Sequence, residues 1–99
     1  MIDNHVLMFA INSWVVLKYN NVMYPSKVVD IINNQLQLES LHPIRETYGY
    51  IFVKPSNVDR FLISKDCVIC NIPEPTMMNR CGNNFEVDNK VWDKVCHYL

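Results

Sequence analysis

Glycine is nearly absent from this chain: two residues in 99, Gly49 and Gly82. Loops that cradle phosphate with successive backbone amides need several closely spaced glycines, so P-loop and G-x-G-x-x-G chemistry is excluded. Neither a G-x-S-x-G elbow nor an HExxH helix occurs, and His5, His42 and His97 are scattered. Cys67 or Cys70 with His42 can be drawn as a nucleophile and base. Four cysteines and three histidines permit such a pairing in any small protein, and nothing in the spacing supports it. The chain is expected not to be an enzyme.

Charge of one sign is lacking too. Nine Lys and Arg stand against ten Asp and Glu, for a net charge of −1, and the basic residues are dispersed. A surface that neutralises duplex phosphates shows a basic patch, so sequence-independent duplex binding is not expected. No stretch approaches the roughly 20 apolar residues of a membrane helix. The apolar run Val6–Ile11 follows acidic Asp3, where a secretory signal would carry positive charge. The expectation is therefore a nuclear or cytoplasmic chain with no membrane partner, its four cysteines reduced.

What is present is β-forming material. Hydrophobic residues make up 49% of the chain and charged residues 19%, enough for one core and one domain over residues 1–99. Trp14–Tyr19 and Val22–Ile32 are rich in Val, Ile, Tyr and Trp and flank Asn20-Asn21. Asparagine tolerates the left-handed backbone of a hairpin turn, so the two segments read as an opening hairpin. Asn33-Asn34 marks a second turn. Gln35–Leu41 then alternates with period two, placing Leu36 and Leu38 inward and Gln35, Gln37 and Glu39 in water. His42-Pro43 ends or bends that strand. Tyr48–Val53 forms an aromatic strand, Ser56–Ser64 a loop or short turn, and Cys67–Ile72 a further apolar strand before Pro73-Glu74-Pro75 halts regular structure.

The last element differs in period. Val91, Trp92, Val95 and Tyr98 form one stripe of a short helix, with Asp88 placed to cap its first turn. A helix this short persists only when docked, and Trp92 is its expected anchor.

Trp14-Val-Val-x-x-Tyr19 followed by Tyr24-Pro-Ser-Lys-Val28 resembles the opening of Tudor-like, SH3-type barrels. Tyr48–Pro55, Asp66–Pro75 and Phe85–Trp92 extend the likeness over about 80 residues. Together these segments are similar to the barrel near the C-terminal ends of transposon-derived animal proteins. The resemblance implies a mainly β fold: a small, strongly bent antiparallel barrel over 14–72, an irregular extension over 73–87 and a terminal helix over 88–98. It implies an interaction module that needs no cofactor.

Such barrels hold methylated lysine or arginine in an aromatic cage, where several ring faces surround one cation. Tyr19 and Tyr24 match two cage positions. The next two fall near Ser40 and His42, where the family carries aromatics, and Lys54 stands where relatives tend to carry tryptophan. Tyr48, Tyr50 or Phe52 from the following strand are the residues able to refill the space. Tyr19 and Tyr24 are equally compatible with ordinary barrel aromatics whose hydroxyls reach water.

Cys67-x-x-Cys70, Cys81, Cys96 and His97 raise a zinc site. Val68 and Ile69 favour an extended backbone between the first two thiols, which then diverge, so buried structural thiols are expected instead.

Two functions follow from different chemistry. The first is recognition of a peptide or protein partner, in a chromatin or transposon and RNA-silencing setting, with exposed Met77 and Met78 contributing apolar surface. The alternative is single-stranded nucleic-acid binding, with Tyr48, Tyr50 and Phe52 stacking on bases and Arg45, Lys54 and Arg60 on phosphates. Open strand edges also allow a homodimer.

Overall fold

The computed structural model describes residues 9–43, 51–55, 60–78 and 84–97. Strand β1 (Trp14–Tyr19) turns back into β2 (Val22–Ile32), with Tyr19 opposite Val22. At the corner Asn20 and Asn21 have φ of 51° and 62°, the two successive positive values that match a turn to the twist of its flanking strands. Asn33 and Asn34 repeat the device, with φ of 49° and 66°, and lead into β3 (Gln35–Ser40). Leu36 and Leu38 are buried as the alternation requires.

Proline in the middle of a sheet leaves a missing donor, and Pro25 lies within β2. Its carbonyl accepts from the Leu41 amide at 2.9 Å, so its ring nitrogen faces the same neighbour. That neighbour is where the chain leaves the sheet: β3 ends at Ser40, and β4 (His42–Pro43) pairs elsewhere. The proline thus costs no rung of the ladder.

Strand β5 (Ile51–Val53) pairs with β4. Next come β6 (Arg60–Ser64), a 3₁₀ turn at Lys65–Cys67, β7 (Val68–Ile72), β8 (Thr76–Met77), β9 (Asn84–Glu86) and helix α1 (Asn89–Cys96). The fold is mainly β, with two antiparallel sheets and this one short C-terminal helix. One sheet has the order β6-β3-β2-β1-β7 and the other β4-β5-β9-β8.

The three-residue turn between β6 and β7 sets the curvature of the larger sheet. Strands spaced about 4.8 Å apart would put the edges of a flat five-stranded sheet roughly 19 Å from each other. The four Cα steps from Ser64 to Val68 span at most about 15 Å, and less in the tighter 3₁₀ form. Opposite edges joined by so short a link require a curled sheet, and the register shifts at Val16/Leu17 and Val28/Asp30 mark bulges that bend it. Among the described residues no pairing joins β6 to β7. The sheet is curled, and among the described residues it does not close into a barrel.

Two further expectations are corrected. Ser56–Ser64 is not all loop, because Arg60–Ser64 pairs with β3 from Gln35↔Ser64 to Glu39↔Arg60. Its half-buried Phe61 and Ile63 alternate with exposed Arg60, Leu62 and Ser64. The stretch 73–87 is not wholly irregular either, since β8 and β9 give the smaller sheet two of its four strands.

The core has two parts, one on each side of β1. Val15, Leu17, Val28, Leu36, Leu38 and Val68 fill the inside of the curl. Val16, Met23, Leu41, Phe52, Ile72, Val87, Trp92 and Val95 pack between the outer side of β1, the smaller sheet and α1. Burial on both faces explains why Val15, Val16 and Leu17 are consecutive apolar residues rather than alternating ones. Asp88 caps α1, its carboxylate accepting from the Lys90 and Val91 amides at 2.9 and 3.3 Å. No helix among the described residues is long and apolar enough to cross a membrane.

Candidate functional site

A cavity of about 560 Å³ opens at one end of the curl. The end of β1 contributes Leu17, Lys18 and Tyr19, and the start of β2 contributes Tyr24. Ser40 and His42 border it where β3 hands over to β4, Phe61 and Ile63 enter from β6, and Cys67 sits on the 3₁₀ turn. Its size falls in the range of small-molecule and side-chain pockets, roughly 300–1,000 Å³.

All four positions that the cage resemblance singles out, Tyr19, Tyr24, Ser40 and His42, border this one cavity. Tyr19 stands mostly in solvent, 63% exposed. Tyr24 and His42 meet edge to face, with ring centroids 5.9 Å apart and planes at 69°. His42 therefore supplies an aromatic wall, although it is an imidazole. A second comes from Phe61, which sequence reasoning missed because it lay in the supposed loop. Its signal was the alternation Arg60-Phe61-Leu62-Ile63-Ser64.

Ser40 gives no ring, but its hydroxyl is fixed from behind. Ser26, fully buried, lies opposite it in the ladder, and the two Oγ atoms are 2.6 Å apart. Ser26 also donates to the Tyr24 carbonyl at 3.3 Å. Buried hydroxyls persist only when bonded, so this pair orders the strand ends that carry Tyr24 and Ser40.

Phe52 is not part of the cavity. It is fully buried in the outer core beside Trp92, so it can neither refill a cage nor stack on a base. The aromatic-strand platform is corrected at that position: alternation grouped Phe52 with its neighbours but did not say which face met solvent. Tyr48, Tyr50 and Arg45 lie outside the described residues. Arg60, assigned to phosphates in the same reading, is instead tied to its cross-strand partner, Nε to Glu39 Oε2 at 2.7 Å.

The thiols are dispersed. Cys67 is exposed on the cavity rim, Cys70 packs against the outer core, and Cys96 is exposed on α1; all three are free. Burial pushes the Cys70 thiol up, and burial together with Asp93 raises that of Cys96. Cys81 lies outside the described residues, among which no three His, Cys, Asp or Glu side chains could jointly hold a metal. Cys67 and His42 share the cavity but no hydrogen bond joins them, so the nucleophile–base geometry is not formed.

No family model, curated protein or solved structure matches this chain. Its reading rests on the cavity and on the residues around it. Among the described residues the site offers aromatic edges and faces, aliphatic surface from Leu17 and Ile63, the Ser40 hydroxyl and one cation, Lys18. That is the chemistry of a binding pocket for an amphipathic group. Met77 and Met78, 55% and 47% exposed, form a separate apolar surface where β8 ends.

Proposed function

We propose that this chain is a non-catalytic interaction module, a variant of the Tudor-like barrel, whose curled sheet holds a peptide from a nuclear or cytoplasmic partner. The supporting observation is the convergence of Tyr19, Tyr24, His42 and Phe61 from four strands onto one cavity of about 560 Å³. Aromatic side chains give large contact area at low conformational cost, and their gathering at strand ends is how binding surfaces are built on rigid scaffolds. The chromatin or transposon-silencing setting follows from the family resemblance alone.

The test is a peptide-display selection against the whole chain, followed by amide and aromatic NMR titration with the selected peptides. Shifts confined to Tyr19, Tyr24, His42 and Phe61, abolished in a folded Tyr24→Ala variant, would support the module. Selected peptides that shift only Met77 and Met78 would move the interface to β8. A chain that instead binds oligothymidylate with strong salt dependence is a nucleic-acid binder, and the proposal fails.

A further inference from the structure

The charge around the cavity specifies its ligand more narrowly. Resting on the peptide-binding reading above, we propose that the cavity takes a large apolar side chain of an acidic peptide, whose adjoining carboxylate meets Lys18, and that it discriminates against methylated lysine. Three observations carry this.

Among the described lining residues Lys18 is the one with a permanent charge, and none of them is a carboxylate. Among the described residues the ion pair is Arg60–Glu39, and none involves Lys18. A quaternary ammonium placed beside Lys18 meets a like charge, with no acid among the described lining residues to offset it. The attraction of ring faces for a cation is about 0.5–2 kcal/mol, and a neighbouring like charge opposes it by a similar amount.

Part of the lining is aliphatic, contributed by Leu17 and Ile63. Aliphatic walls provide no quadrupole, so a cation pushed against them loses hydration without return, whereas an apolar side chain gains.

The volume points the same way. About 560 Å³ exceeds what one methylated ammonium fills and suits a bulky side chain with part of its flanking backbone. A carboxylate on the adjoining residue then reaches the rim where Lys18 stands, next to exposed Tyr19.

The experiment uses three peptides of equal length titrated into the full chain, read by NMR at Tyr24 and Phe61 and by anisotropy for affinity. One carries tryptophan flanked by glutamates, one tryptophan flanked by glutamines, and one trimethyllysine flanked by glutamines. The expected order is acidic, then neutral, then methylated, with the acidic peptide favoured over the neutral by roughly threefold to tenfold at low salt and less at high salt. Lys18→Glu is expected to invert the acidic–neutral preference while leaving the chain folded, since the residue is only partly buried at the end of β1. Tightest binding by trimethyllysine, strengthened in Lys18→Glu, would overturn this inference and leave the peptide module standing. Failure of all three peptides to shift Tyr24 or Phe61 would overturn the module and this inference together.

Discussion

Phe52 and Trp92 meet edge to face, their ring centroids 4.7 Å apart and their planes at 67°. One comes from β5 and the other from α1, so this contact fastens the terminal helix to the smaller sheet. Aromatic pairs in this arrangement add about 0.5–1.5 kcal/mol to the area they bury. Trp92→Ala is therefore expected to destabilise the chain by about 3–5 kcal/mol in urea denaturation, the range for large-to-small aromatic changes. Phe52→Leu should cost clearly less, because it keeps most of the apolar volume. Trp92→Ala with unchanged stability would mean that α1 is not held by this contact.

The cap of α1 makes a separable contribution. Removing the Asp88 carboxylate leaves the Lys90 and Val91 amides without their acceptor. Asp88→Ala should cost about 1 kcal/mol, and Asp88→Asn very little, since asparagine caps nearly as well. Denaturation midpoints of the two variants, compared at equal slope, decide it.

At the first corner both asparagines are left-handed, at φ 51° and 62°. Asn21→Gly is expected to alter stability by under about 1 kcal/mol, because glycine enters that region freely. Asn21→Val should destabilise by about 1–2 kcal/mol through the contact of its Cβ with the backbone. Equal stability of the two variants would show that the turn has relaxed to another type.

The thiols set an alkaline limit. Cys70 and Cys96 both titrate higher in the folded chain than when unfolded, so folding favours their neutral forms. That contribution is complete below the unfolded thiol range, near pH 8.5, and is lost as pH rises through the folded values. The denaturation midpoint should fall more steeply above about pH 9 in the wild type than in Cys70→Ala/Cys96→Ala. Alkylation at neutral pH should reach exposed Cys67 before Cys70, which mass mapping after brief iodoacetamide treatment would show.

Local chemistry made much of this fold legible. The Asn-Asn corners, the buried pair Leu36 and Leu38, and the Asp88-capped stripe of Val91, Trp92 and Val95 each follow from short-range rules, and each appears where those rules place it. The misses are long-range. Arg60–Ser64 carries the alternation of a strand, but only its pairing with β3 distinguishes it from a short polar–apolar loop. Thr76–Met77 and Asn84–Glu86 are too short to announce themselves and exist through β5 and each other. At the site, Tyr19 and Tyr24 were singled out by the family resemblance, and both border the cavity beside the first corner. Phe61 was hidden by the missed strand. Phe52 was misplaced because a period of two groups residues on a face without saying which face is wet.

The short turn at Lys65–Cys67 also orders events in time. Pairings of β1 with β2 and of β2 with β3 close over two-residue corners and form locally. Trp14 against Ile72 joins residues more than fifty positions apart, and the loop entropy of that closure must be met before any of its contacts reward it. Docking of β7 is consequently the step expected to pace folding, as in other chains dominated by distant strand pairs. The cavity takes walls from β1, β2, β3, β4, β6 and the turn, so it is assembled only once strands distant in sequence have come together. In native-state hydrogen exchange, amides of β7, an edge strand of the larger sheet, should open at lower free energy than those of the central pairing of β1 with β2.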